Sequence, residues 1–145
     1  MIIVADTSAL FAAFDAAQPE HREAAQIMER ETLVISPMVL TEIDHLVNRA
    51  VGWPAAMRVM EALQARMSHG QYRLAELRLP DLVLAHEVRT KYEGLRLDLA
   101  DAIGVVLADR YRTDLIFTLD ERDFRSVAPL TPSFSSFRLL PADRA

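Results

Sequence analysis

Short apolar runs rich in β-branched residues alternate along this chain with segments of helical period. Residues 2–5 (Ile-Ile-Val-Ala) form a continuous apolar run, the pattern of a strand buried on both faces. Asp6-Thr7-Ser8 supplies N-cap chemistry for a helix over residues 9–16. Pro19-Glu20 opens a second helix, with Ala24, Ala25, Ile27 and Met28 on one side. Leu33-Val34-Ile35 reads as a second buried strand. Ser36-Pro37 then caps and starts a helix whose Val39, Leu40, Ile43, Leu46, Val47 and Ala50 keep a 3.6 period until Gly52. Trp53-Pro54 leads into a helix reaching residue 68, ended by His69-Gly70. A short strand at 72–75 and helices over 80–92 and 98–111 follow. The last of these turns Ile103, Val106 and Leu107 inward, with Leu99 a further candidate. Residues 115–119 are a strand, 121–124 at most one helical turn, and 137–140 the final strand. Residues 129–136, rich in Pro and Ser, form the loop before it. The alternation predicts a three-layer α/β/α sandwich with a central, mainly parallel sheet.

Length and composition refine this picture. The 145 residues fit one domain over 1–145, long enough to bury a core without staples. Apolar residues are 51% and charged residues 26%, an ordinary globular mixture, and no solenoid repeat or low-complexity tract breaks it. The absence of cysteine excludes a disulfide framework, a thiolate zinc site and a thiol nucleophile. The N-terminal apolar run is too short for a secretory signal, and nothing approaches the roughly 18 apolar residues of a membrane span. These features point to a cytoplasmic chain, mature from its first residue. A formal charge of −5 argues at face value against a nucleic-acid partner, which wants basic surface. Of the 16 basic residues, however, all but Lys91 are arginine.

The acids are distributed in a way that matters for chemistry. In open α/β sheets, chemistry collects at the carboxyl ends of parallel strands. Asp6 directly follows the first strand and Asp120 directly follows the strand at 115–119. Glu42 lies in the first turns of the helix after the second strand, and Asp101 in the first turn of the helix beginning at Asp98. Four acids brought to one rim would repel one another unless a cation neutralised them, and hard cations such as Mg²⁺ or Mn²⁺ want oxygen ligands. Each acid also has an ordinary use. Asp6 can cap its helix, and Glu42 can serve the helix dipole. Asp98 and Asp101 have the spacing of an N-cap and its N3 partner, so Asp98 reads as the cap and Asp101 as the inward acid. Asp120 and Asp123 compete in the same way. Asp120 stands nearer the strand end, and Asp123 reads as a solvated turn residue or a support.

Taken together, Asp6-Thr7-Ser8-Ala9-Leu10, Pro37 through Glu42, Ala100-Asp101-Ala102, and Thr118-Leu119-Asp120 followed by Phe124 resemble a PIN domain. More narrowly they resemble the VapC toxins of bacterial toxin–antitoxin pairs, over nearly the whole chain. The resemblance implies that Asp6, Glu42, Asp101 and Asp120 form an acidic metal and catalytic site. Thr7 or Ser8 would add a hydroxyl near the first acid and Thr118 one beside the fourth. It implies no ligand role for Asp98. It further implies Mg²⁺- or Mn²⁺-dependent endoribonuclease activity, homodimerisation and inhibition by a VapB-type antitoxin. Loops of transfer RNA and of ribosomal RNA are both cut by members of this group.

Such a site needs no histidine or lysine base, because the metal supplies that chemistry. His21, His45, His69 and His86 accordingly lack any HxH or HExxH spacing. Basic residues concentrate around the third and fourth acids, and Arg89, Arg96, Arg122 and Arg125 are the candidates for gripping phosphate. Tyr92 or Tyr111 could stack a base. Arg110 and Arg112 serve equally well to compensate the end of their helix. Trp53, Met57, Met60 and Met67 look like core or dimer packing. A phosphatase of the aspartyl type wants a second Asp at the position of Ser8, and a receiver domain wants a lysine after a late strand, so both readings fail. A non-catalytic metal- or RNA-binding module on the same fold remains as the alternative. Setting the four site acids aside leaves the rest of the chain nearly neutral, so the net charge opposes only tight non-specific binding.

Overall fold

The computed structural model describes residues 1–144. Its elements run β1 (Ile2–Ala5), α1 (Thr7–Phe14), α2 (His21–Arg30), β2 (Thr32–Ile35), α3 (Pro37–Ala50), α4 (Trp53–Ser68), β3 (Tyr72–Leu74), α5 (Leu79–Lys91), a 3₁₀ turn (Glu93–Leu95), α6 (Leu99–Arg110), β4 (Leu115–Phe117), α7 (Glu121–Ser126) and β5 (Arg138–Leu140). The strands form one sheet in the order β3-β2-β1-β4-β5, and every neighbouring pair is parallel.

Alternation along each strand sends successive side chains to opposite faces. Ile3, Ala5, Leu33, Ile35, Leu115 and Phe117 point to one face, where α1 to α4 cover them. Val4, Val34, Ile116 and Leu139 point to the other, against α5, α6 and Phe124 of α7. Ile3, Leu33, Ile35 and Phe117 are fully buried, and each such side chain contributes about 1.5–3 kcal/mol relative to exposure. The strands are apolar throughout because both faces are covered. This is the three-layer arrangement the alternation predicts.

The differences from the sequence reading are local. Helix α1 begins at Thr7 and ends at Phe14, two residues ahead of the expected span at each end. Strand β4 stops at Phe117, although Thr118 still donates its backbone N–H to the Leu140 carbonyl at 3.0 Å. Helix α7 runs six residues, longer than the single turn expected. Leu99 is exposed rather than inward, and Trp53 at 64% exposure lies outside the core. Met67 is half-buried against the core, while Met57 is exposed.

The sheet order places the site. From β1 the chain proceeds outward through β2 and β3, then crosses to the other side of β1 for β4 and β5. The order therefore reverses between β1 and β4, the crevice where open α/β sheets bind ligands.

Candidate active site

Asp6 follows β1 at this crevice. It occupies the N-cap position of α1, yet its side chain makes no cap hydrogen bond. Its Oδ2 instead accepts from Ser8 Oγ at 2.8 Å and from Thr118 Oγ1 at 2.7 Å. Ser8 Oγ in turn accepts the Leu119 N–H, and Thr118 Oγ1 accepts the Asp120 N–H, each at 2.9 Å. The ordinary use of Asp6 as a helix cap is therefore not the one made of it. Ser8 is the hydroxyl beside the first acid, whereas Thr7 Oγ1 donates to Glu42 Oε1 at 3.3 Å. Thr118 bridges the first acid and the backbone of the fourth.

Asp101 enters from α6. The Asp98 side chain accepts the Asp101 backbone N–H at 2.8 Å, which makes Asp98 the cap of α6 and leaves the Asp101 carboxylate to point inward. Asp120 plays a second capping role, accepting the Asp123 N–H at 3.2 Å at the start of α7. Asp101, Asp120 and Asp123 each bring one carboxylate oxygen to within 4.8 Å of the others, all three half-buried. Asp123 thus belongs to the cluster, which favours the second of its two readings, a support, over a solvated turn residue. The signal lay in its spacing, since Asp120 and Asp123 repeat the cap-and-N3 arrangement of Asp98 and Asp101.

The electrostatics record this crowding. Burial, followed by the charges of Asp6, Asp98, Asp120 and Asp123, pushes the Asp101 carboxyl up to about 8. Asp123 is raised as well, by burial and then by Asp120. Glu42, on the first turns of α3, is exposed by area. Loss of surrounding water, followed by the charge of Asp98, still lifts its carboxyl above the ordinary value, and Asp6 adds to the effect. Asp101 thus feels Asp6, Asp98, Asp120 and Asp123, and Glu42 feels Asp98 and Asp6, but among the described residues only Asp101, Asp120 and Asp123 meet within 4.8 Å; Asp6 and Glu42 flank that group. The donors are carboxylate oxygens, the set that hard divalent cations take, and the mutual repulsion is what such a cation relieves. The cluster fits a metal.

The basic residues divide. Arg89 Nε donates to the Leu97 carbonyl at 2.9 Å and so braces the turn that leads into α6. Arg125 makes a two-pronged contact with Asp143 at 2.7 and 3.1 Å and also binds Glu121. Both side chains are exposed, and Arg89 engages only its Nε in this contact. Arg96 and Arg122 are exposed and, among the described residues, join no ion pair; Arg96 has φ 53° just before the α6 cap. Tyr92 accepts the Ala128 N–H through its hydroxyl at 3.1 Å, which ties the segment after α7 to α5. His45, His69 and His86 are exposed and His21 half-buried, consistent with their lack of ligand spacing.

A mainly parallel sheet with an acidic crevice beside its central strand defines a class, and comparison with known proteins identifies it. The PIN domain matches residues 3–130, and the chain belongs to that family. It is 41% identical over 130 residues to Ribonuclease VapC26 of Mycobacterium tuberculosis, a match covering 88% of this chain and 93% of that protein, which sets it among the VapC ribonucleases. The fold is shared with VapC20 of Mycobacterium tuberculosis, a toxin that cleaves the sarcin-ricin loop, at a TM-score of 0.71 and 20% identity over 84% of this chain and 92% of that one. It is also shared with VapBC2 of Rickettsia felis bound to a fragment of promoter DNA, at a TM-score of 0.68 and 15% identity over 96% and 98%.

Proposed function

We propose that this chain, as one domain over residues 1–145, is a Mg²⁺- or Mn²⁺-dependent endoribonuclease of the cytoplasm. In this reading it is the toxin of a VapBC-type pair and cuts an RNA loop in transfer or ribosomal RNA to stop translation. The observation that carries the reading is the meeting of Asp101, Asp120 and Asp123 within 4.8 Å, at the crevice where Asp6 also lies. Asp6, Glu42, Asp101 and Asp120 hold the cation, with Asp123 beside them. A divalent cation held there supplies activation of water as nucleophile and neutralisation of charge developing on the phosphodiester.

The chain's own residues do the rest. Ser8 and Thr118 orient Asp6, Thr7 orients Glu42, and the Asp98 cap fixes the first turn of α6 so that Asp101 faces inward. Burial and the neighbouring acids favour the protonated form of the Asp101 carboxyl, and a divalent cation held there would favour the ionised form. In this reading Arg96 and Arg122, both exposed, hold phosphates flanking the scissile bond, where a planar guanidinium gives two-pronged contact. The partners in this reading are an RNA substrate, a VapB-type antitoxin and a second copy of the chain. Among the described residues, no helix is long and apolar enough to cross a membrane.

The test is cleavage of structured RNAs by purified protein with Mg²⁺, Mn²⁺ or EDTA, followed by mapping of RNA ends in cells after induction. Cleavage that survives both EDTA and Asp6→Asn would overturn the assignment. Thermal stabilisation by Mn²⁺ without any cleavage would instead leave a non-catalytic binding module.

A further inference from the structure

The two hydroxyls beside Asp6 do more than neighbour it. Ser8 Oγ and Thr118 Oγ1 reach the same atom, Asp6 Oδ2, at 2.8 and 2.7 Å. Each also receives a backbone N–H, from Leu119 and Asp120 respectively. A backbone N–H can only donate, so each hydroxyl accepts on that side and its single proton is directed to Asp6. The 3.3 Å separation of the two hydroxyl oxygens follows from their shared target. Oδ2 therefore has both lone pairs engaged, while among the described residues no backbone N–H of α1 caps onto this carboxylate. Oδ1 is the oxygen left with open lone pairs. The same two hydroxyls hold the backbone at positions 119 and 120, so the loop that carries Asp120 is tied to Asp6 through one intervening atom on each side.

We propose that Ser8 and Thr118 form a latch that limits Asp6 to one ligating oxygen and fixes Asp120 relative to it, tuning the site for a small octahedral cation over Ca²⁺. The proposal rests on the reading of this crevice as a metal centre. The chemistry follows from the cations. Mg²⁺ demands near-ideal octahedral geometry with short bonds, and Mn²⁺ shares its preference for oxygen ligands. Ca²⁺ accepts more oxygens and takes carboxylates by one or both of them. A carboxylate with one oxygen withheld suits the first kind of ion and penalises the second. Ser8 and Thr118 are positioning residues, since they act through Asp6 and Asp120.

The experiment is calorimetric titration of the full chain with Mn²⁺ and, separately, Ca²⁺, with cleavage measured in parallel. Thr118→Val keeps the shape of a side chain that is 1% exposed and removes both of its links. Its expected effect is a loss of Mn²⁺ affinity of about 10- to 100-fold, the usual consequence of removing a group that orients a ligand. Ca²⁺ affinity should fall less, so that discrimination narrows. Thr118→Ser, which keeps the hydroxyl, should restore both affinity and discrimination. Ser8→Ala removes the other pair of links, to Asp6 and to the Leu119 N–H, should narrow discrimination in the same direction, and carries the test if Thr118→Val does not fold. Unchanged Mn²⁺ and Ca²⁺ affinities in Thr118→Val and Ser8→Ala, with Mn²⁺ binding lost in Asp6→Asn, would overturn the latch and keep the metal centre. Wild-type Mn²⁺ binding in Asp6→Asn and Asp101→Asn would remove the metal centre and the latch with it.

Discussion

Asp98 and Asp101 stand three residues apart at the start of α6 and divide two tasks between them. The Asp98 carboxylate takes the Asp101 N–H, while the Asp101 carboxylate faces four other acids. Asparagine caps helices as well as aspartate does, so Asp98→Asn should leave folding and cleavage largely intact. Asp101→Asn should lower cleavage by more than about 100-fold, beyond the usual loss when only an orienting partner is removed. Measured rates for the two variants decide the point, and equal losses would mean that the roles are reversed. This division was legible from spacing, because once the N-cap side chain holds the N3 backbone N–H the N3 carboxylate is free to turn inward. Asp123 was not legible in the same way. Its partner Asp120 both caps α7 and reaches the cluster, and a sequence does not show which oxygen of one carboxylate does which. The internal partners of the arginines were not legible for a different reason. Arg89 and Arg125 find partners only through the tertiary fold, at the Leu97 carbonyl and at Asp143.

Helices deliver these side chains, so their ends and packing govern the site. Ser36 caps α3, accepting the Val39 N–H at 3.2 Å, and Pro37 occupies the first turn. Ser36→Ala should cost about 1 kcal/mol, read as a lower urea midpoint with unchanged slope. Helix α6 carries Gly104 in its interior, where an added methyl would meet Phe124 at 3.9 Å and Val4 at 4.0 Å, ordinary contact distances. Gly104→Ala should therefore stabilise the fold by about 0.5–1 kcal/mol, with cleavage retained. A lower melting temperature would show that Phe124 cannot accommodate the methyl. Both helices were readable from period and capping residues. The start of α1 and the end of β4 were not, because both lie where Ser8 and Thr118 turn to Asp6, and the Thr118 bond joins residues far apart in the chain.

At the scale of the whole molecule, the acidic crevice makes stability depend on pH. The Asp101 carboxyl titrates near 3.8 when unfolded and near 8 in the fold. Between those values the folded chain binds the extra proton, so stability falls as pH rises through that window. Glu42 and Asp123 are shifted in the same direction and add to the slope. Melting temperatures in EDTA should drop between about pH 5 and about pH 8, and Mn²⁺ should raise them most at the alkaline end. A melting temperature that is flat with pH and indifferent to Mn²⁺ would contradict this account. The sheet order has a further consequence, for timing. β1 is flanked by β2, made early, and by β4, made late, and the bond from Thr118 to Asp6 spans 112 positions. At about 5–20 residues per second, synthesis leaves Asp6 waiting on the order of 5–20 s for the strand that completes its surroundings. Until β4 slots beside β1, Asp6 lacks the Thr118 hydroxyl and the neighbouring Asp120, so the nascent chain carries an unassembled site for cutting RNA.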